Sequence, residues 1–285
     1  MKSILIVMVS LLLCCGICVS AEVVTFHAYV DSDICARLML GPITAQRTEC
    51  SQKTYKEGAD PLLVRLSDNT VFDVNKQKML KDHVGKIAEV SGETKSESGT
   101  MKLQSVKPEE ISNIPAGDPA RLLLDVRSYQ AKRSASTYEQ VRHELAMMPY
   151  ITTYDFISYT MVGSNVILSG WTVRQTNRND AYNRVKSVEG VDKIVNNIEI
   201  LPMGRFDMEI RAGVRARLQR NLSRYFWGSG SDIKIVVKNG RVILLGTVSS
   251  KADSDIANIQ SNTVPGVFHV FNLLKVKETV DKGKS

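Results

Sequence analysis

The chain has 285 residues, of which 43% are hydrophobic and 24% charged, and its length leaves room for three small cores. The formal net charge of +7 is unevenly spread: residues 203–285 hold 14 Lys/Arg against 7 Asp/Glu, whereas residues 22–110 hold 12 against 14. The acidic balance of the first part excludes the basic groove that single-stranded nucleic acid requires, and the basic last part points to an anionic partner.

Residues 1–21 open with Lys2, run apolar from Ile4 to Val19 and end in Val19-Ser20-Ala21. They are expected to be a signal peptide cleaved before Glu22, which makes the mature protein exported and periplasmic or envelope-associated. Three of the five cysteines fall in that leader. The remaining pair, Cys35 and Cys50, is expected to form a disulfide in an oxidising compartment, since two thiolates with His27 as the only nearby imidazole do not complete a metal site.

Residues 22–110 read as a small β domain of about five strands. Val24 to Val30 alternates, Leu62 to Leu66 leads through Ser67-Asp-Asn-Thr70 to Val71-Phe-Asp-Val74, and runs over 86–93 and 100–106 follow. A short helical stretch at Met79–His83, between the third and fourth strands, resembles the helix position of a five-stranded OB-type barrel. Phe26, Tyr29 and Phe72 alternate into strands and read as core. Residues 111–136, with Pro115 and Pro119, read as a linker. Within it, Leu122 to Val126 fits either a strand or a short helix.

After the linker the chain repeats itself. Val166-Ile-Leu-Ser-Gly170 returns 76 residues later as Val242-Ile-Leu-Leu-Gly246, and Val188-Glu-Gly-Val191 returns at the same offset as Val264-Pro-Gly-Val267. Val141 and Leu145 match Val214 and Leu218 if the second copy has gained three residues, placed here in Trp227-Gly-Ser-Gly-Ser231. Each copy is expected to be an α-β-β-α-β unit with both helices on one sheet face, over 137–202 and 203–280, followed by a tail at 281–285. Gly170 and Gly246 lie inside strands, where glycine marks a close backbone approach, and Gly190 and Gly266 suit helix caps. Asn196 and Asn272 are expected to satisfy backbone groups. The pattern, a helix, an apolar strand ending in Leu-x-Gly, a polar helix and Val-x-Gly-Val-x-x-Val-x-Asn, resembles the BON (bacterial OsmY and nodulation) domain. The resemblance implies an α+β chain of binding modules behind a barrel, associated with phospholipid interfaces and envelope maintenance.

The second copy differs from the first in two ways. Its first helix sets Ile210, Val214, Leu218 and Leu222 on a core stripe and leaves Arg211, Arg215, Arg217, Arg220 and Arg224 on the remaining surface, ending in Tyr225-Phe226-Trp227. Arg217, Arg220, Arg224, Tyr225 and Trp227 are the expected membrane-binding residues, facing an anionic phospholipid surface or another envelope component. The plain alternative is a solvated charged face whose aromatics cap the core. Secondly, Ile243, Leu245, Phe271 and Leu273 form an apolar row away from the helices, where the first copy has Ile167, Ser169, Val195 and Asn197. That row needs a cover: the first copy, the N-terminal region or a second chain. It is the face a protein partner would use if the chain were an adaptor or chaperone-like stress protein.

No catalytic constellation emerges. His27, His83, His143 and His269 are dispersed without ligand spacing, no Gly-x-Ser-x-Gly elbow occurs, and Gly228-Ser-Gly-Ser231 precedes a strand, the reverse of a phosphate loop. No metal, cofactor or enzymatic activity is expected.

Overall fold

The structure, a computed structural model, describes residues 22–39, 41–94, 99–115, 117–124, 135–227 and 231–277. The expected leader, the tail, residues 125–134 of the expected linker and 228–230 of the expected insertion lie outside them.

The first unit is a closed barrel of β1 (Glu22–Ser32), β2 (Pro61–Arg65), β3 (Val71–Val74), β4 (Ile87–Thr94) and β5 (Gly99–Pro108), in the order β1-β2-β3-β5-β4 with β3 and β5 parallel. A 3-10 helix, Gln77–His83, lies between β3 and β4 and drives Leu80 into the barrel among Ala28, Val30, Leu63, Phe72, Val90 and Leu103. The alternate residues, Tyr29, Leu62, Val64, Leu66 and Val71, point out of the barrel and are nevertheless buried. Their cover includes Ile114 and Ala120, so much of the expected linker is packed on the barrel and does not run free.

The β1–β2 connection holds two helices that its sequence pattern did not announce, α1 (Cys35–Leu38) and α2 (Ala45–Lys56). Thr44 caps α2 by accepting from the Arg47 amide at 3.2 Å. The face of α2 turned inward is polar: Arg47, Ser51 and Thr54 are buried, and Arg47 donates to Asp31 at 2.9 Å. The Cys35–Cys50 disulfide ties α1 to α2. Closing this loop is worth about 3 kcal/mol in the chain-entropy account.

The two repeats follow. The first comprises α3 (Ala135–Ala146), β6 (Phe156–Val162), β7 (Asn165–Thr172), α4 (Gln175–Lys186) and β8 (Lys193–Ile200), with sheet order β6-β7-β8. The second comprises α5 (Arg205–Asn221), a 3-10 turn at Ser223–Phe226, β9 (Ile233–Lys238), β10 (Arg241–Val248), α6 (Lys251–Asn262), and a last strand in two pieces, β11 (His269–Asn272) and β12 (Lys275–Val276). In both, the hairpin is antiparallel and the strand after the second helix pairs parallel to the hairpin's second strand. Both helices cover one face: Val141, Ala181 and Val185 meet Val166, Leu168 and Ile198, and Ile210, Val214, Leu218 and Ala257 meet Val242, Leu244 and Val270.

Gly170 and Gly246 have φ of 117° and 116°, and a Cβ there would sit 2.0 Å from the Phe156 carbonyl oxygen and 1.9 Å from that of Asp232. Glycine is required in both copies because the neighbouring strand occupies the side-chain position. Asn196 and Asn272 also act alike. Each donates its amide to the second helix, to the Arg178 carbonyl at 3.4 Å and the Ser254 carbonyl at 2.9 Å, and accepts from the backbone amide two residues on.

Candidate functional site

Two regions stand out: the face where the three units meet and the outer surface of α5. The helix-free faces of the two sheets meet each other and the barrel. Ile243, Leu245 and Phe271 are buried against Trp171 and Leu201 of the first repeat and Ile34 and Ala59 of the barrel, with Leu273 partly buried beside them. The row expected to serve a protein partner is therefore occupied within the chain. Its apolar area is covered by the first repeat and the N-terminal unit together, and no open partner face remains there.

Charge is buried at the same junction. Lys238 places its ammonium 2.7 Å from Glu199 and 3.5 Å from Asp33, while Arg37 lies 3.0 Å from Glu199. Burial raises the Asp33 carboxyl above its ordinary value, the attraction of Lys238 and Arg37 notwithstanding. Burial also acts to raise Glu199, but the Arg37 and Lys238 charges outweigh it and hold that carboxyl below the usual range. Burial acts to lower Lys238, and Glu199 and Asp33 reverse the effect. Asn197 completes the joint by mimicking a strand: its side chain accepts from the Val71 amide at 3.1 Å and donates to the Asn69 carbonyl at 2.7 Å. The β2–β3 turn of the barrel is thus hydrogen-bonded to the last strand of the first repeat.

The outer surface of α5 divides the arginines expected there. Arg211 is buried, donating to the carbonyls of Pro202 at 2.9 Å and Val237 at 2.8 Å, so it is a structural cation and not part of a surface. Arg224 is exposed and pairs with Asp253. Arg215, Arg217 and Arg220 reach no carboxylate among the described residues, with Arg215 and Arg220 exposed and Arg217 half-buried. Of the aromatics, Trp227 is 78% exposed, but Tyr225 is only 4% exposed. The Tyr225 ring lies in the core and its hydroxyl donates to Asp253 at 2.8 Å while accepting from the Ser249 amide at 2.7 Å. Tyr225 therefore leaves the expected membrane-binding set: an aromatic run at a helix end supplies core and rim in alternation.

Sequence reasoning missed Phe206 and Phe268, both exposed at the other end of α5, and Ile256 and Ile259, exposed on α6. Their signal was available as apolar residues falling off the core stripe. Among the described residues no group of three His, Cys, Asp or Glu side chains is arranged to hold a metal ion, and no helix is long and apolar enough to cross a membrane.

The family described as the BON domain matches residues 135–202 and 207–278. No curated protein matches the chain significantly. Similar solved structures include the C-terminal domain of CdsD, the structural protein of the type III secretion system of Chlamydia trachomatis, at 8% identity over 51% of this chain and 99% of that one, with a TM-score of 0.21. A second CdsD structure from the same organism has 8% identity over 50% and 92%, with a TM-score of 0.20. BON-domain proteins are generally non-enzymatic, periplasmic or envelope-associated, and bind membranes or phospholipid. This chain is a BON-domain protein, with two BON copies behind an N-terminal five-stranded barrel.

Proposed function

We propose that this is an exported, non-catalytic envelope protein whose second BON domain binds anionic phospholipid through the outer surface of α5. The observation that carries the reading is that Arg215, Arg217 and Arg220 have no carboxylate partner among the described residues, with Trp227 exposed just past the same helix. In the first copy, by contrast, Arg142 pairs with Glu139 and Arg184 with Glu144. Unpaired guanidinium groups gain from lipid phosphates what no neighbouring carboxylate supplies. Each cation at an anionic leaflet is worth about 1 kcal/mol, and an indole settles in the headgroup zone.

The signal-peptide reading of residues 1–21 supports delivery to a compartment where this surface meets lipid, and the Cys35–Cys50 disulfide suits an oxidising one. The adaptor reading loses its surface, since Ile243, Leu245 and Phe271 are buried within the chain.

Vesicle co-sedimentation of residues 22–285 tests the reading. The protein is expected to pellet with anionic and not with neutral vesicles, with binding weakening as salt rises, and Arg217→Glu/Arg220→Glu is expected to stay in the supernatant. Equal pelleting of wild type and variant, or none by wild type, would remove the proposal.

A further inference from the structure

The two repeats share a turn, and they dress it differently. In the first, the backbone amide of Asp192 donates to the Ser164 carbonyl at 3.0 Å, and the Ser164 hydroxyl bonds the Asp192 carboxylate. In the second, the amide of Phe268 makes the equivalent bond to the Gly240 carbonyl at 2.9 Å, so Gly240 stands for Ser164 and Phe268 for Asp192. A hydrogen-bonded polar pair has been replaced by a phenyl ring over a glycine. The fit is close: a Cβ on Gly240 would come 2.5 Å from the Phe268 ring, and one on Gly266 would come 3.0 Å from the ring of Phe206. The two rings lie 5.9 Å apart. They nevertheless remain 48% and 74% exposed for Phe206 and Phe268. Asp207, one residue into the helix from Phe206, fixes the turn beneath them by accepting from the amides of Asn239 and Gly240 at 2.9 and 2.8 Å.

The position of this pair relates it to the arginines. Phe206, Gly213, Arg217 and Arg220 are seven, four and three residues apart on α5, which places them on one stripe of the helix. The neighbouring α6 runs antiparallel along that stripe. Arg224 pairs with Asp253 at one end, and Gly213 faces Val264 at the other, where a Cβ would meet a Val264 methyl at 2.8 Å. The exposed Ile256 and Ile259 of α6 therefore lie level with Arg217 and Arg220.

We infer that Phe206 and Phe268 form an aromatic anchor that enters the lipid headgroup zone and lays α5 along an anionic membrane surface. This rests on the lipid-binding reading above and adds to it a second, apolar contact with a defined place. The rings are exposed, and Phe206 shares a stripe of α5 with Arg217 and Arg220, which reach no carboxylate among the described residues. Cations beside an apolar ring pair match a layer of phosphates above an apolar interior. The ring pair at the start of α5 and Arg217 and Arg220 toward its end give the domain two points of attachment and hence one orientation.

The test compares residues 22–285 with two variants, Phe206→Ser/Phe268→Ser and Arg217→Glu/Arg220→Glu, on vesicles of phosphatidylglycerol mixed with phosphatidylcholine, at about 0.1 M and about 0.5 M salt. Thermal unfolding of each variant verifies the fold. Wild type is expected to keep part of its binding at the higher salt. The phenylalanine variant is expected to bind about tenfold more weakly at the lower salt and to lose binding altogether at the higher, because its remaining contacts are electrostatic. If the phenylalanine variant matches wild type at both salts while the arginine variant fails, the anchor is overturned and the arginine surface stands. If wild type binds at neither salt, the lipid reading falls and the anchor with it.

Discussion

The two BON copies have the same internal architecture and opposite external policies. Inside, Val141 and Val214, Leu168 and Leu244, and Ile198 and Leu274 fill corresponding places between helices and sheet. Outside, the first copy satisfies several of its polar groups internally: Ser164 bonds Asp192, Arg142 pairs with Glu139, and Arg184 pairs with Glu144. The second copy exposes Phe268 where the first has Asp192, and its Arg217 and Arg220 reach no carboxylate among the described residues. A duplicated fold holds its core fixed because every core position has neighbours to satisfy, whereas a surface position answers only to solvent and partners. The copy whose surface departs from neutrality is the one to examine for binding.

The largest effect is expected where the copies agree most. Gly170→Ala and Gly246→Ala each force a methyl into a backbone carbonyl of the adjacent strand at a positive φ, and each is expected to cost about 3 kcal/mol or more. Urea unfolding of the two variants should give similar losses. A small loss in one copy alone would show that the two hairpins are not equivalent.

A smaller effect is expected at the junction, and it depends on pH. Glu199 is held below the ordinary carboxylate range by Arg37 and Lys238, so its contribution is fully present above that range and disappears as pH falls through its folded value. Glu199→Gln is expected to destabilise by about 2 kcal/mol near neutrality, with the difference from wild type closing as pH falls below the ordinary carboxylate range. Asp33 has the opposite sign: raised by burial, it contributes least at neutral pH and relaxes on protonation. Thermal unfolding across pH that leaves a constant gap between Glu199→Gln and wild type would show that the ion pairs do not hold the junction.

The smallest stability effect belongs to the surface. Arg217→Glu/Arg220→Glu is expected to change stability by no more than about 0.5 kcal/mol, since neither side chain has a partner among the described residues to lose. A large drop in thermal midpoint would mean that the arginines support the fold, and the contrast between the copies would lose its functional sense.

The repeat was legible because its glycines and aliphatic residues recur at one offset, and the barrel because its strands alternate. Helix α2 was not, because its inward face is Arg47, Ser51 and Thr54, and a polar stripe carries no hydrophobic period. Arg211 and Tyr225 were read as surface because neighbouring positions on a helix flank differ by a small rotation, which decides whether a long side chain lies over the core or in water. The junction needed Ile34, Trp171 and Phe271 in one place, and nothing local in a sequence reports contacts between segments so distant. Within the binding surface, the arginine stripe was visible as charge, but Phe268 acquires its meaning only when seen standing over Gly240.

The shared apolar face also bears on how the chain comes apart. Ile34 and Ala59, Trp171 and Leu201, and Ile243 and Phe271 belong to three different units, yet they form one cluster. Removing any one unit strips the cover from the other two, so the barrel and the two BON copies are not independent beads on a string. Their melting is expected to be cooperative, as a single calorimetric transition would show, and an excised second copy is expected to carry into water the apolar row that the intact chain keeps dry.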